Sequence, residues 1–295
     1  MSVLYEKLRP ELIPLMEVRM FELPEFVTLT RQINDTLLGK VVQTGCLGNT
    51  PHKFVWYNRS HEEFKSLTHG KTVGNARTRG KWLFIPLEPG YVLVLGECGG
   101  KVLYHAPGAK RPDKYHLLIS FEDGSSLSVT TQMWGAMELY KQGEENNRQY
   151  IRDIRITPVE PEFTCEYLSA LIDELTTRGE WSAKGLLTQD QLIPGLGNAI
   201  AQAILFRARL HPRRPVDTLS SDQRSDLYQA IVETVEEVTG KGGRYDEVDL
   251  YNQPGGYIRL MDRHAVGNPC PRCGCKIEKI QYLGGACYFC PSCQQ

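Results

Sequence analysis

The chain has 295 residues, 41% of them hydrophobic and 23% charged, with a formal net charge of −1. That length accommodates two domains with a filled core, and the composition is that of a globular protein rather than a disordered or fibrous one. No apolar run approaches the roughly 20 residues of a membrane span, no secretory leader opens the chain, and the near-zero charge confines any nucleic-acid surface to a local patch.

From Pro24 to Leu38 apolar residues recur at Phe26, Leu29, Ile33 and Leu37 with a helical period. Pro24 and Glu25 suit a first turn and Gly39 a stop. Residues 40–131 carry short strand-like runs, among them Phe54–Tyr57, Lys81–Ile85, Tyr91–Leu95, Tyr115–Phe121 and Leu127–Thr130. Pro89-Gly90 and Asp123-Gly124 mark tight turns between them, so this stretch predicts an antiparallel sandwich. After residue 160 the pattern turns helical, with one face at Leu168, Leu171, Ile172 and Leu175 and another at Leu227, Ile231, Val235 and Val238. Both stripes read as core packing. His52 and His105 are single histidines, a type more often structural than ligating, and neither is assigned a metal.

Gln191 to Pro212 holds a tight Gly195-Leu196-Gly197 turn followed by Asn198, which suits a helix cap. A helix starting there presents free N–H groups, a ready phosphate site. Arg207, Arg209, Arg213 and Arg214 follow, with no acidic residue from 191 to 216, a local charge of +4. The alternative is a solvated helical hairpin. The arginines and the segment downstream favour DNA phosphate binding.

The chain closes on Cys270-x2-Cys273-x16-Cys290-x2-Cys293. Two such knuckles can complete a tetrahedral Zn²⁺ site at Zn–S distances of about 2.3 Å. Between them Lys276–Tyr282 alternates polar and apolar, Gly284-Gly285 turns, and Ala286–Phe289 returns, a β-hairpin with a metal at its open end. A pair of disulfides is the alternative. Zinc is favoured because nothing else in the chain looks secreted. Cys275 and Cys287 fall outside the pattern.

These segments resemble a known family. Leu196-Gly-Asn198, Leu205-Phe206 and Leu210-His-Pro212 are similar to the helix–two-turn–helix of the formamidopyrimidine-DNA glycosylase / endonuclease VIII family, and the four-cysteine hairpin to its zinc finger. Met20-Phe-Glu-Leu-Pro-Glu25 resembles its N-terminal signature, and Thr78-Arg-Gly-Lys-Trp-Leu83 its lysine-bearing strand. The resemblance implies an α+β fold in four parts. These are an extension over 1–19, a leading helix with a β-sandwich over 20–150, a helix–two-turn–helix domain over 151–262, and a zinc finger over 263–295. It implies one structural Zn²⁺ and damaged double-stranded DNA as partner. It also implies a monomer acting in base excision repair in the nucleoid-associated cytoplasm, with no membrane partner.

The same resemblance assigns roles. Lys81, Lys184, Asn198, Arg207 and Arg209 become DNA contacts, and Met133 and Trp134 the bulky groups that fill the gap left by a flipped base, with Cys98 a shorter counterpart. Glu22 and Glu25 match the family's acidic pair. Glu22 is positioned to activate water as a general base, against the alternative of a carboxylate serving a helix dipole. The family's nucleophile is a proline whose secondary amine attacks C1′ of the damaged nucleotide. Here that position is Phe21, preceded by twenty residues. The family's hairpin arginine falls at Gly285. The implied activity is N-glycosidic hydrolysis with proline-type lyase weak or absent. The alternative is a catalytically inactive lesion- or structure-binding protein.

Overall fold

A computed structural model describes residues 20–50, 52–132 and 134–295. The extension over 1–19 and Met133 lie outside the described residues. Helix α1 (Leu23–Leu37) opens the fold. Pro24 sits in its first turn, Glu25 accepts the Glu22 N–H at 2.9 Å, and Gly39 just beyond its end has φ +80°. The periodic residues Phe26, Leu29, Ile33 and Leu37 are all buried, each contributing roughly 1.5–3 kcal/mol of transfer free energy.

Two sheets follow. One has the order β1 (Val42–Leu47), β8 (Leu117–Phe121), β9 (Ser126–Thr131), β7 (Gly100–His105). The other runs β2 (Val55–Trp56), β10 (Gly135–Lys141), β6 (Tyr91–Gly96), β5 (Trp82–Glu88), β3 (Thr72–Val73), with β4 (Arg77–Arg79) also on β5. All pairings are antiparallel except β2 on β10. Helix α2 (His61–Thr68), capped by Ser60, packs on β1. The turns at Pro89-Gly90 and Asp123-Gly124 close β5–β6 and β8–β9 as their composition predicts. Strand β10 extends the sandwich past residue 131.

The remainder is helical: α3 (Cys165–Thr176), α4 (Ala183–Thr188), α5 (Asn198–Arg207) and α6 (Ser221–Gly240). The two apolar stripes seen in the sequence are buried here in one core. A two-stranded hairpin, β11 (Glu278–Tyr282) with β12 (Gly285–Phe289), ends the chain. Its turn is Leu283-Gly284, both at positive φ, one residue earlier than the expected Gly284-Gly285, because Gly285 already pairs with Tyr282. The fold is therefore α+β, with leading helix, antiparallel sandwich, helical part and cysteine hairpin.

Helix α1 stands at the seam. Phe21, Phe26, Leu29, Ile33 and Leu37 belong to the sandwich core, whereas Leu23 belongs to the helical core. The helix also packs directly on α6.

Candidate functional site

The turn before α5 is built by close approach. Gly195 has φ +91°, and a Cβ there would lie 2.6 Å from the Leu23 Cβ and 3.1 Å from the Gly80 Cα. Gly197 leaves room for Glu22, whose Oε1 would meet a Cβ at 2.5 Å. Leu23 N–H donates to the Gly195 carbonyl at 2.8 Å. The Glu22 carboxylate then accepts the N–H groups of Gly197 at 2.9 Å, Ala199 at 3.0 Å and Ile200 at 3.2 Å.

This corrects two expectations. The first N–H groups of α5 do not all face outward, because the protein's own carboxylate takes three donors at this end, where dipole and donors favour an anion. Asn198 is not the cap. Gly197 is, with no side-chain cap bond, and Asn198 is the first helical residue, its side chain exposed. That freed amide lies against the hairpin: a Cβ on Gly285 would stand 2.9 Å from Asn198 Nδ2.

Glu25 is held on the other side. Arg244 donates to it from its backbone N at 2.9 Å, from Nε at 3.0 Å and from an Nη at 3.1 Å, and donates further to the Met20 carbonyl at 2.6 Å. Glu22 and Glu247 stand 3.8 and 3.6 Å from the same guanidinium. All four side chains are buried. Burial works against the charge on Arg244, but the facing carboxylates of Glu25, Glu22 and Glu247 outweigh it and raise its pKa above the arginine norm. Three carboxyl groups thus surround one guanidinium. Arg244 carries no sequence signal: it follows Gly242-Gly243 beyond the end of α6, outside any periodic stripe or motif.

Phe21 is fully buried, its ring edge-on to Phe26 at 5.9 Å, and its backbone N–H donates to the Cys98 carbonyl at 3.2 Å. Cys98 is no wedge. It lies in the sandwich core, and burial, with Glu97 nearby, pushes its thiol up to about 12.

Lys81 follows Gly80, whose φ of +57° packs the β4–β5 turn against Pro194, so a half-buried Lys81 borders the same seam. Lys184 is a correction. It is 0% exposed, and its ammonium donates to the Tyr282 carbonyl at 2.5 Å and lies 3.5 Å from that of Gly285. It props the hairpin from beneath and reaches no surface. Arg207 is corrected in part, since Glu233 and Glu237 on α6 pair with it at 3.4 and 2.5 Å and cancel its charge. Arg209 is exposed, ending α5 with φ +60°. Trp134 stacks on Trp56 at 5.3 Å and packs on Phe54 at 4.6 Å, so it belongs to a fixed aromatic row.

The Sγ atoms of Cys270, Cys273, Cys290 and Cys293 all lie within 4.8 Å of one another. Cys270–Cys293 and Cys273–Cys290 are 3.9 and 3.4 Å apart, bracketing the edge of about 3.8 Å that a tetrahedral Zn–S₄ centre requires. Arg272 N–H faces the Cys270 sulfur and Cys293 N–H the Cys290 sulfur, each at 3.4 Å, orienting both ligands. The Cys275 backbone and then the neighbouring thiols lower Cys273 to about 6, while Cys273 and burial raise Cys293 to about 12. A set so crowded that its members cannot all ionise alone is one that a dication satisfies. The residues fit the metal.

The site thus joins a glycine turn docked on a sandwich-domain carboxylate, a helical module behind it and a four-cysteine hairpin beside it. Residues 20–137 match the formamidopyrimidine-DNA glycosylase N-terminal domain, and residues 155–246 that enzyme's H2TH domain. The chain belongs to the formamidopyrimidine-DNA glycosylase family. It is 30% identical to the Bacillus cereus formamidopyrimidine-DNA glycosylase over 278 residues, covering 92% of this chain and 98% of that one. It is also 30% identical to the Lactobacillus delbrueckii protein over 285 residues, covering 93% and 99%. The Lactococcus lactis Fpg, solved in complex with DNA containing an abasic site, superposes with a TM-score of 0.79 at 24% identity over 93% of this chain and 99% of that one. The same Fpg bound to DNA containing an oxidised pyrimidine also gives 0.79. Among the described residues no helix is long and apolar enough to cross a membrane.

Proposed function

We propose that the protein binds damaged duplex DNA between its sandwich and helical parts, as a monomer acting on chromosomal DNA. It releases the damaged base by hydrolysis, without a Schiff base through residue 21. One observation carries this reading. The Phe21 nitrogen is a peptide amide, with its lone pair delocalised and its N–H held by Cys98. Such a nitrogen cannot attack C1′.

What remains beside that position is electrostatic. Base loss places positive charge on the sugar, and the carboxyl groups of Glu22, Glu25 and Glu247 are held in fixed positions around Arg244 close to residue 21. Glu22, next to residue 21 in the chain, is the candidate to steady that charge. The lesion-bearing DNA in the relatives' structures supports a duplex partner for this chain. One Zn²⁺ in the cysteine hairpin is structural, because all four positions are filled by protein.

A binding-only role is the second reading. It is favoured by the Glu22 carboxylate, whose hydrogen bonds go to protein N–H groups and which is 4% exposed. Base-release assays on a lesion panel, run beside borohydride trapping on abasic DNA, separate the two. Release with an uncut abasic site and no trapped complex supports hydrolysis. A trapped complex with strand cleavage overturns the chemistry. Binding with no release establishes the second reading.

A further inference from the structure

We propose that Arg213 and Asn198 grip the DNA backbone together across one face of the cysteine hairpin, with the Tyr282 ring as the seat of the Arg213 guanidinium. This rests on the duplex-binding reading above and assigns its phosphate contacts.

Tyr282 and Gly285 are cross-strand partners, so their side-chain directions share one face of the hairpin. Gly285 aims its missing side chain at the exposed Asn198 amide, 2.9 Å from where a Cβ would be. On that same face the Arg213 guanidinium lies over the Tyr282 ring, 5.1 Å from its centroid. A neutral amide donor and a cation thus border the same hairpin face, one at Gly285 and the other at Tyr282.

Arg213 is free for this role. Its residue is exposed, and among the described residues no carboxylate lies within salt-bridge distance of it, whereas Arg207 is neutralised by Glu233 and Glu237. Its position is also fixed. Its backbone N–H donates to His211 Nδ1 at 3.2 Å, and the His211 ring stands edge-on to Phe289 of β12 at 4.5 Å. His211 N–H donates to the Gln295 carbonyl at 3.2 Å, and Gln294 Nε2 to the Leu210 carbonyl at 3.0 Å. The connector after α5 is therefore stapled to the hairpin, and the stacked guanidinium presents N–H donors in a fork that matches a phosphodiester.

The test is fluorescence anisotropy of the full zinc-loaded protein on a labelled duplex carrying an abasic analogue, across a potassium chloride series. Circular dichroism and zinc content are checked for each variant. R213A raises Kd about tenfold and reduces the slope of log Kobs against log salt by about 0.9, one phosphate contact. Y282L raises Kd about threefold by removing the seat, and Y282F, which keeps the ring, behaves as the parent. R178A, which removes an exposed cation paired with Glu174 just beyond the end of α3, changes neither quantity. R213A with the parent's affinity and slope, in a background where N198A weakens binding, overturns the grip and leaves duplex binding standing. A parent protein with no salt-dependent duplex binding overturns the duplex-binding reading itself.

Discussion

The amide nitrogen of Phe21 and the carbonyl oxygen of Cys98 are hydrogen-bonded at 3.2 Å, which ties the segment before α1 to the loop after β6. The residue at the family's nucleophile position is therefore a structural link between two parts of the sandwich. Phe21→Pro supplies a proline but no amine, because the nitrogen stays within the chain. Borohydride trapping on abasic DNA stays negative. The variant also loses the Cys98 bond and a fully buried ring, lowering stability by about 3–5 kcal/mol in chemical denaturation.

Glu22→Gln replaces one anionic oxygen with an NH₂ group that faces the α5 donors. Hydrogen bonds to a charged group each contribute about 1.5–3 kcal/mol, so the melting temperature falls. Base release is lost, while duplex affinity, which depends on phosphate contacts elsewhere, stays within about threefold. Retained release at the parent rate would remove Glu22 from the chemistry.

Arg244→Met leaves Glu25, Glu22 and Glu247 buried with no cation. Breaking a buried ion pair from one side costs about 3–5 kcal/mol. Adding Glu25→Gln to this variant recovers part of the loss, and a double-mutant cycle by urea denaturation measures the coupling. Simple additivity would show that the pair is not energetically linked.

Removing the metal with a chelator unfolds the hairpin, since four crowded thiols have no other counter-charge. The Lys184 ammonium then loses its carbonyl partners on the hairpin, and the face that the hairpin covers is opened to water. The expected readout is loss of one bound Zn²⁺, a fall in melting temperature, and loss of duplex binding, all reversed by zinc. Unchanged binding after complete metal removal would separate the hairpin from the DNA surface.

His116 governs an acid-side loss of stability. Its Nδ1 accepts the Thr131 N–H at 2.9 Å, which requires the neutral ring, and burial followed by His52 lowers its pKa from 6.5. A lowered folded pKa contributes stability that is present above about 6.5 and lost as pH falls through the folded value. Melting temperature should drop as pH falls below about 6.5, and His116→Asn, which keeps an acceptor, should flatten that dependence. Equal slopes for both proteins would clear His116.

Much of this was legible in the chain because local physics set it. The face at Phe26, Leu29, Ile33 and Leu37 announced α1, the CxxC pairs announced the metal hairpin, and Asp123-Gly124 announced β8–β9. Long-range pairing was not legible. Strands β1 and β7 carry Gly45 and Gly100 within weak patterns, and only their partners β8 and β9 define them. The same limit applied at the site. A lysine reads as exposed until the fold puts a hairpin over Lys184, and an α5 end reads as free until Glu22 arrives from 175 residues away in sequence. Arg244 required knowledge of what the turn after α6 faces.

The carboxylate seated on α5 has a mechanical consequence. Rotating the helical part away from the sandwich would tear three N–H bonds to one carboxyl group out of a buried seam. The jaw angle is therefore set before any duplex arrives. On the proposed function, association then needs no closing motion of the protein, and the shape change that admits an extruded base falls on the DNA.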